Sequence, residues 1–105
     1  MKIRILSAAR QDLLGGFRFY ESQQSGLGSY FLDSLFADID SLQLYAGIHL
    51  TVNGGYRRLL AKRFPFAIYY RIESDTVLVH AVLDCRRNPA WKRKRLRITG
   101  EGKQP

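Results

Sequence analysis

The residues best suited to chemistry in this chain are cationic, and most of them lie close together. The stretch DCRRNPAWKRKRL, residues 84–96, places six arginines and lysines around the only tryptophan, Trp91. Guanidinium and ammonium groups hold phosphates or carboxylates by charge-assisted hydrogen bonds, and they stabilise the negative charge that develops on a phosphate under attack. An indole can stack or anchor a partner. The stretch therefore predicts a site for an anionic partner, with a solvated surface and a core-closing tryptophan as the alternatives.

More arginines lie at the ends of predicted strands. Arg57 and Arg58 are consecutive in a strand, so their side chains should point to opposite faces. Arg71 closes the next strand, and Arg86 and Arg87 follow the third. If the strands pair as hairpins, Arg58 and the Arg86–Arg87 pair could share one open face of the sheet.

The charge distribution also favours an anionic partner. The net charge is +8, but residues 1–56 hold four basic and five acidic side chains, whereas residues 57–105 hold thirteen basic and four acidic ones. Such asymmetry is typical of a half that binds a polyanion or a strongly acidic protein. Charge alone does not choose between these two partners.

Several function classes are disfavoured. No apolar run approaches the roughly 18 residues of a membrane helix, and the N-terminus lacks the apolar segment of a secretory signal. The single Cys85 fits a reducing cytosol, which predicts a cytoplasmic protein. His49 and His80 have no carboxylate or cysteine at metal-ligand spacing, so we expect no metal and no cofactor.

The hydrophobic pattern predicts the elements that carry the cationic residues. An alternating strand at residues 2–6 precedes two helices, the first reaching about Gln24 and the second marked by an apolar stripe from Leu32 to Leu42. From Tyr56, the runs YRRLLAKRF, FAIYYRI and TVLVHAVL predict three successive antiparallel strands. The fold class is therefore α+β in the order β-α-α-β-β-β, with the helical hairpin on one face of a small antiparallel sheet.

The ends of this domain and one weak point are also visible. The third of the three strands is apolar on both faces and should lie inside the sheet, and Pro89 opens a short C-terminal helix or helical turn. Residues 1–99 form one predicted domain, and 100–105 a disordered tail. Gly15 and Gly16 interrupt the first helix at about 1 kcal/mol each relative to alanine, which indicates a weakness or a close approach of another backbone.

At this point the chain resembles a known family. Three features carry the likeness: the arginine pair that enters a strand, the run FPFAIYYRI at residues 64–72, and the RRNPAW ending from Arg86 to Trp91. They resemble the C-terminal half of RelE/ParE superfamily toxins, the small proteins of type II toxin–antitoxin (TA) modules often described as plasmid stabilisation proteins. The resemblance implies a curved antiparallel sheet under a helical hairpin, and an acidic or amphipathic antitoxin that wraps the toxin and neutralises it.

The superfamily contains two activities. RelE-like members are ribosome-dependent mRNA endonucleases that use lysines and arginines on the sheet and a late tyrosine, whereas ParE-like members inhibit DNA gyrase. Arg58 and Arg87 match basic positions of the RelE-like pattern, but Ala67 stands in place of an essential arginine and Leu60 in place of a lysine. Tyr70 is the last tyrosine, so none follows Arg87. Losing a cationic transition-state contact commonly lowers a rate by orders of magnitude, which disfavours the nuclease.

The resemblance thus implies a ParE-like toxin that inhibits DNA gyrase by binding rather than by catalysis, with a cognate acidic antitoxin encoded beside it. Members with the RRNPAW-type ending often carry a histidine where this chain has Asp84. The implied target-binding residues are Arg58, Arg86, Arg87, Trp91, Lys92, Arg93, Lys94 and Arg95. One alternative is a ribosome-dependent mRNA endoribonuclease with a rearranged site of Arg58, Arg71 and Arg87. Another is an inactive relic or a generic nucleic-acid-binding module.

Overall fold

The chain folds in the predicted order of a strand, a helical hairpin and three strands, with a further helix at the end. The computed structural model describes residues 1–102, and within them the side chains of residues 1–52 and 54–97. The elements are β1 (Lys2–Ile5), α1 (Ser7–Gln23), α2 (Leu27–Asp40), the one-turn α3 (Leu42–Tyr45), β2 (Arg57–Leu60), β3 (Phe66–Glu73), β4 (Thr76–Asp84) and α4 (Pro89–Gly102). Short 3-10 turns at Ala46–Ile48 and Asn53–Gly55 lie in the connection to β2.

The four strands form one sheet in the order β1-β4-β3-β2. The pairs β2–β3 and β3–β4 are antiparallel, as the short connections require, and β4 lies inside the sheet as predicted. β1 differs from the wholly antiparallel expectation, because it pairs in parallel with β4 and makes the sheet mixed. A bulge between Tyr69 and Tyr70 interrupts the β3–β4 ladder, and bulges of this kind bend a sheet locally.

The sheet has a hydrophobic cluster on each face. On one face the helical hairpin packs Ala9, Leu13, Phe31, Leu35 and Ile39 against alternating residues of β3 and β4. On the other face Leu96 of α4 packs with Tyr56, Ala67, Tyr69, Ala81 and Leu83. The fold therefore has three layers: the helical hairpin, the sheet and α4.

The two helices of the hairpin approach each other closely at glycines. A Cβ at Gly16 would collide with the ring of Phe31, and a Cβ at Gly28 would lie 2.7 Å from the carbonyl oxygen of Phe17. The Glu21 carboxylate accepts a hydrogen bond from the Gly28 N–H at 2.9 Å and so ties the turn to the start of α2. The close neighbour of Gly16 is thus the Phe31 side chain, and not another backbone as the glycine pair was expected to indicate.

The C-terminal segment is a full helix rather than a helical turn. The side-chain oxygen of Asn88 accepts hydrogen bonds from the N–H groups of Ala90 at 2.7 Å and Trp91 at 3.3 Å, which caps the first turn. Pro89 takes the first helical position, where its missing N–H has no partner to lose. The helix includes residues 100–102 of the predicted tail, and residues 103–105 lie outside the described part of the chain.

Candidate functional site

Helix α4 carries most of the predicted binding residues, and contacts of its described side chains fix its position on the sheet. Within residues 89–97, only Leu96 is buried. Its carbonyl accepts a hydrogen bond of 2.8 Å from the buried hydroxyl of Tyr56. Burial raises the pKa of the Tyr56 phenol, against the opposing effect of the Arg71 and Arg95 charges, so this hydroxyl remains a donor at neutral pH.

A second contact joins α4 to α1 at one edge of the sheet. The Arg95 guanidinium donates to both carboxylate oxygens of Asp12, at 2.6 and 2.8 Å. β1 pairs only as far as Val79 of β4, and beyond that point the second oxygen of Asp12 accepts a 2.9 Å hydrogen bond from the N–H of Val82. Arg95, predicted to bind the target, therefore holds α4 in place.

Arg86 is also engaged within the chain. Its guanidinium forms two hydrogen bonds of 2.9 and 2.7 Å to the carboxylate of Asp84, and its backbone N–H donates to the same carboxylate at 2.8 Å. The side-chain hydrogen bond from Arg86 lowers the pKa of Asp84, so the pair stays ionised at neutral pH. Asp84, the departure from the family pattern, thus fixes the chain as it leaves β4.

Arg87 and Trp91 form a stacked pair at the start of α4. The guanidinium carbon of Arg87 lies 4.4 Å from the centre of the Trp91 ring, within the range of a cation–π interaction. Among the described side chains, Arg87 forms no ion pair with a carboxylate. Trp91 is 38% exposed and does not close the core, a position that Leu96 takes instead. The Arg87 side chain is therefore held over the Trp91 ring and is exposed to an external anion.

Two further basic residues of α4 lie on another flank of the helix. Lys92 and Arg93 line a shallow groove of about 180 Å³ together with Arg58 and Tyr69. Lys92 donates to the carbonyl of Cys85 at 3.1 Å, whereas Arg93 is exposed. Lys94 is exposed on the next position of the helix. This groove concentrates positive charge over the face of the sheet.

The two arginines that begin β2 point to opposite faces, as predicted. Arg57 donates to the carbonyls of Gly47 at 3.2 Å and His49 at 2.8 Å and so holds the connection that precedes the strand. Arg58 is exposed on the α4 face. It lines the groove beside Lys92, whereas Arg87 lines a different groove, between α1 and α4. Arg58 and Arg87 were predicted to share one open face of the sheet, but they line separate grooves.

Arg71 has a structural role. Its guanidinium carbon lies 4.0 Å from the centre of the Tyr56 ring, and its terminal nitrogen donates to the carbonyl of Gly54 at 2.6 Å. It therefore orders the turn before β2 and covers the tyrosine that anchors α4. Of the set required for a rearranged nuclease site, Arg58 and Arg87 line different grooves, and Arg71 is engaged with Tyr56 and the carbonyl of Gly54.

The positions at which the RelE-like pattern carries catalytic cations are apolar neighbours here. Leu60 and Ala67 are direct partners across the β2–β3 ladder. Ala67 is buried under α4, and Leu60 is 57% exposed. The last tyrosine, Tyr70, is fully buried with its hydroxyl bonded to the carbonyl of Ala46, and burial raises its pKa to about 12. These three side chains offer no charge and no accessible proton to an RNA.

Comparison with known proteins bears on the fold. No protein-family model matches the chain, and no curated protein matches it. Among solved structures it is similar to a chain of the chromosomal ParDE TA system from P. aeruginosa, with a TM-score of 0.73 and 17% identity over 78% of this chain and 92% of that chain. The two chains share one fold. The fold that the RelE/ParE resemblance implied is thus confirmed.

Neither a metal site nor a membrane-spanning helix is found in the part of the chain that the structure describes. No group of three His, Cys, Asp or Glu side chains is arranged to hold a metal ion there. None of the described helices combines the length and apolar character that crossing a membrane requires.

Two residues that matter for the position of α4 were missed from sequence. Asp12 has only one local signal, an acidic side chain near the start of α1, which predicts a favourable interaction with the helix dipole. Its partners Val82 and Arg95 lie 70 and 83 residues away. Tyr56 begins a strand run and gives no sign that its hydroxyl reaches α4. Such long-range contacts leave no periodic pattern in a single sequence.

Proposed function

We propose that this chain is the toxin of a type II TA module and that it arrests growth, in the manner of ParE-like proteins, by binding DNA gyrase in the cytoplasm. The observation that carries the proposal is the shared fold with a chain of a ParDE TA system over most of both chains. Of the sequence features that resemble ParE-like toxins, the Arg86–Trp91 ending leads into the first turn of α4, and Arg86, Arg87 and Trp91 are exposed there. An acidic antitoxin is the proposed neutralising partner.

The apolar pair Leu60 and Ala67 on the sheet favours gyrase inhibition over nuclease activity. An endonuclease must stabilise charge that develops on the phosphate, and a missing cation there commonly lowers the rate by orders of magnitude. In this chain Leu60 and Ala67 face each other where such cations would be needed, and Tyr70 is buried. We therefore propose an inhibitor that acts by binding.

The proposed contact surface consists of basic residues in and just before α4 that form no ion pair with a described side chain. Arg93 and Lys94 are exposed, and the exposed Arg87 lies over the Trp91 ring and forms no hydrogen-bonded ion pair with a described carboxylate. Together with Arg58 they can meet an acidic protein surface or DNA bound to the target. Complementary charge of this kind raises the association rate and makes binding sensitive to salt.

The test is induced expression in bacteria with separate pulse-labelling of DNA and protein synthesis. We expect DNA synthesis to fall first, and we expect the purified chain to inhibit supercoiling by purified gyrase. The Arg93→Gln/Lys94→Gln variant should inhibit at least tenfold less well. Arg10→Gln/Arg18→Gln is the matched control, because it removes the same charge from exposed positions of α1.

Two results would contradict this function. If protein synthesis falls first and mRNA is cleaved on ribosomes, the chain is a nuclease despite Leu60 and Ala67, and the Arg58 groove becomes its candidate site. If neither synthesis falls at expression levels that accumulate folded protein, the chain is a relic or a binding module without toxin activity.

A further inference from the structure

The connection between the helical hairpin and β2 exposes a run of large apolar side chains. From Leu42 to Leu50 it forms the one-turn α3 and the 3-10 turn that follows, and we call this segment the strap. On its inner side, Leu42 and Ala46 are buried in the cluster between the hairpin and the sheet. On its outer side, four large apolar side chains are 52–81% exposed: Leu44, Tyr45, Ile48 and Leu50.

The strap is therefore apolar both where it is buried and where it is exposed. A surface helix of a globular protein is normally apolar on one side only, and a helical segment that is apolar all round is normally covered on every side. Residues 41–56 also contain no Asp, Glu, Lys or Arg, although 25% of the whole chain is charged. This surface suits a partner that binds by shape and apolar contact rather than by charge.

Hydrogen bonds from distant parts of the chain hold the strap in one conformation. Arg57 of β2 donates to the carbonyl of His49 at 2.8 Å. The N-terminal ammonium donates to the carbonyl of Gln43 at 3.3 Å, and the buried hydroxyl of Tyr70 donates to that of Ala46. Because the backbone is already ordered, binding through the exposed side chains would not require a loop to be ordered at the same time.

The charge of the chain favours a second copy as the partner. An acidic protein or a nucleic acid binds through cations, and the strap has no lysine or arginine to offer. Two copies that each carry +8 repel one another, so they can pack closely only where no basic side chains are brought face to face. The open edge of β1 does not meet this condition, because Lys2 and Arg4 are exposed there.

The exposed area of the strap is close to what a dimer requires. A standard interface covers about 800 Å² per partner, roughly an eighth of the 6432 Å² accessible surface of this chain. The four exposed side chains supply roughly 550 Å² of this area, at about 200 Å² for a fully exposed large side chain. Met1, which is 47% exposed and hydrogen-bonded to Gln43, extends the apolar surface beside them.

We propose that the strap is a self-association surface on which two copies of this chain pack about a two-fold axis. In such an interface the same patch is used twice, so the outer side chains of one strap pack against those of the other. The strap lies outside the grooves beside α4, so this pairing does not use the residues proposed to contact the target. The inference goes beyond the proposed toxin function and does not depend on it.

The test is analytical ultracentrifugation of the purified chain over a concentration series. We expect a monomer–dimer equilibrium in the micromolar range. Leu44→Gln/Leu50→Gln should raise the dissociation constant at least tenfold, because it removes two apolar side chains from the interface. Leu14→Gln/Leu60→Gln is the matched control, since these leucines are 39% and 57% exposed outside the strap, and it should dimerise within about twofold of the wild type.

Salt dependence and cross-linking give two independent readouts. Like-charged copies repel less when salt screens them, so raising NaCl from about 50 to 500 mM should tighten the dimer severalfold. Ile48→Cys in a Cys85→Ser background should form covalent dimers with a short bis-maleimide, whereas Leu60→Cys in the same background should not. The cross-link identifies the surface even if the double variant fails to fold.

Three results would overturn the inference: a wild type that stays monomeric at high concentration and high salt, equal dimerisation by the two double variants, or a dimer that weakens as salt rises. A monomeric wild type that binds neutral phosphatidylcholine vesicles through the strap, with binding lost in Leu44→Gln/Leu50→Gln, would also overturn it and assign the strap to a lipid surface. Growth arrest is not a readout in any of these experiments, so the inference and the proposed function fail separately.

Discussion

Asp12 should contribute more to stability than any exposed acidic residue. Its carboxylate accepts hydrogen bonds both from the backbone N–H of Val82 in β4 and from the guanidinium of Arg95 in α4. Asp12→Ala leaves the N–H of Val82, a residue only 2% exposed, without its acceptor, and an unsatisfied buried donor costs about 1–3 kcal/mol. It also removes the partner of Arg95 in an ion pair whose side chains are 22% and 13% exposed. Exposed pairs contribute about 0–1 kcal/mol and breaking a buried one costs about 3–5, so we expect a total loss of about 2–4 kcal/mol.

The assay is urea unfolding of a short series of variants. Asp12→Asn keeps an oxygen for the Val82 N–H but loses the charge, so its loss should be smaller, about 1 kcal/mol. Asp33→Asn, on an exposed position of α2, is the control and should lie within about 0.5 kcal/mol of the wild type. A double-mutant cycle of Asp12→Ala with Arg95→Ala should give a coupling of about 1–2 kcal/mol. A coupling near zero, or equal losses for Asp12→Ala and Asp33→Asn, would refute the view that this carboxylate fastens α4 to α1.

Three further outcomes follow from single contacts. Asn88→Ala should lose about 1 kcal/mol and some helical circular dichroism, with Asn88→Asp retaining both; equal spectra would argue against the cap. Tyr70 has a folded-state pKa of about 12 against an ordinary value of 10.0, so its contribution to stability is complete below about pH 10 and is lost as the pH rises towards 12; in urea titrations across that range, Tyr70→Phe should lose less stability than the wild type. Gly16→Ala should destabilise by about 1–3 kcal/mol through Phe31, whereas Gly15→Ala should stabilise by up to about 1 kcal/mol, and thermal melts that rank them the other way would exclude this packing.

The element order could be predicted because each element has a local signal. The stripe of Leu35, Ile39 and Leu42 is buried as a helix of period 3.6 requires, and the two-residue connection Ser74–Asp75 makes β3 and β4 antiparallel neighbours. The parallel pairing of β1 could not be predicted in this way, because about 70 residues separate it from β4. Nor does the sequence show that the C-terminal helix crosses the second face of the sheet.

The residue types of the candidate site could be predicted from the sequence, but the arrangement of their side chains could not. The RRNPAW ending identifies a cationic segment, and its Asn-Pro pair marks a helix start. Which flank each cation takes depends on how α4 is rotated, and that rotation is set by Leu96 and Arg95 through contacts with distant residues. Arg58 and Arg87 therefore line different grooves although both were assigned to one surface.

Several of the basic residues are already engaged within the chain, which limits the charge that an anionic partner meets. Arg86 and Arg95 are neutralised by carboxylates of the chain itself, and Arg71 is held by a tyrosine ring and a carbonyl, so none of them releases its full charge to a partner. The formal excess of positive charge in the second half overstates the charge that a target or antitoxin meets. Arg87, held 4.4 Å from the centre of the Trp91 ring, should contribute more binding energy than the exposed Lys94, since a side chain that is already ordered loses less entropy on binding.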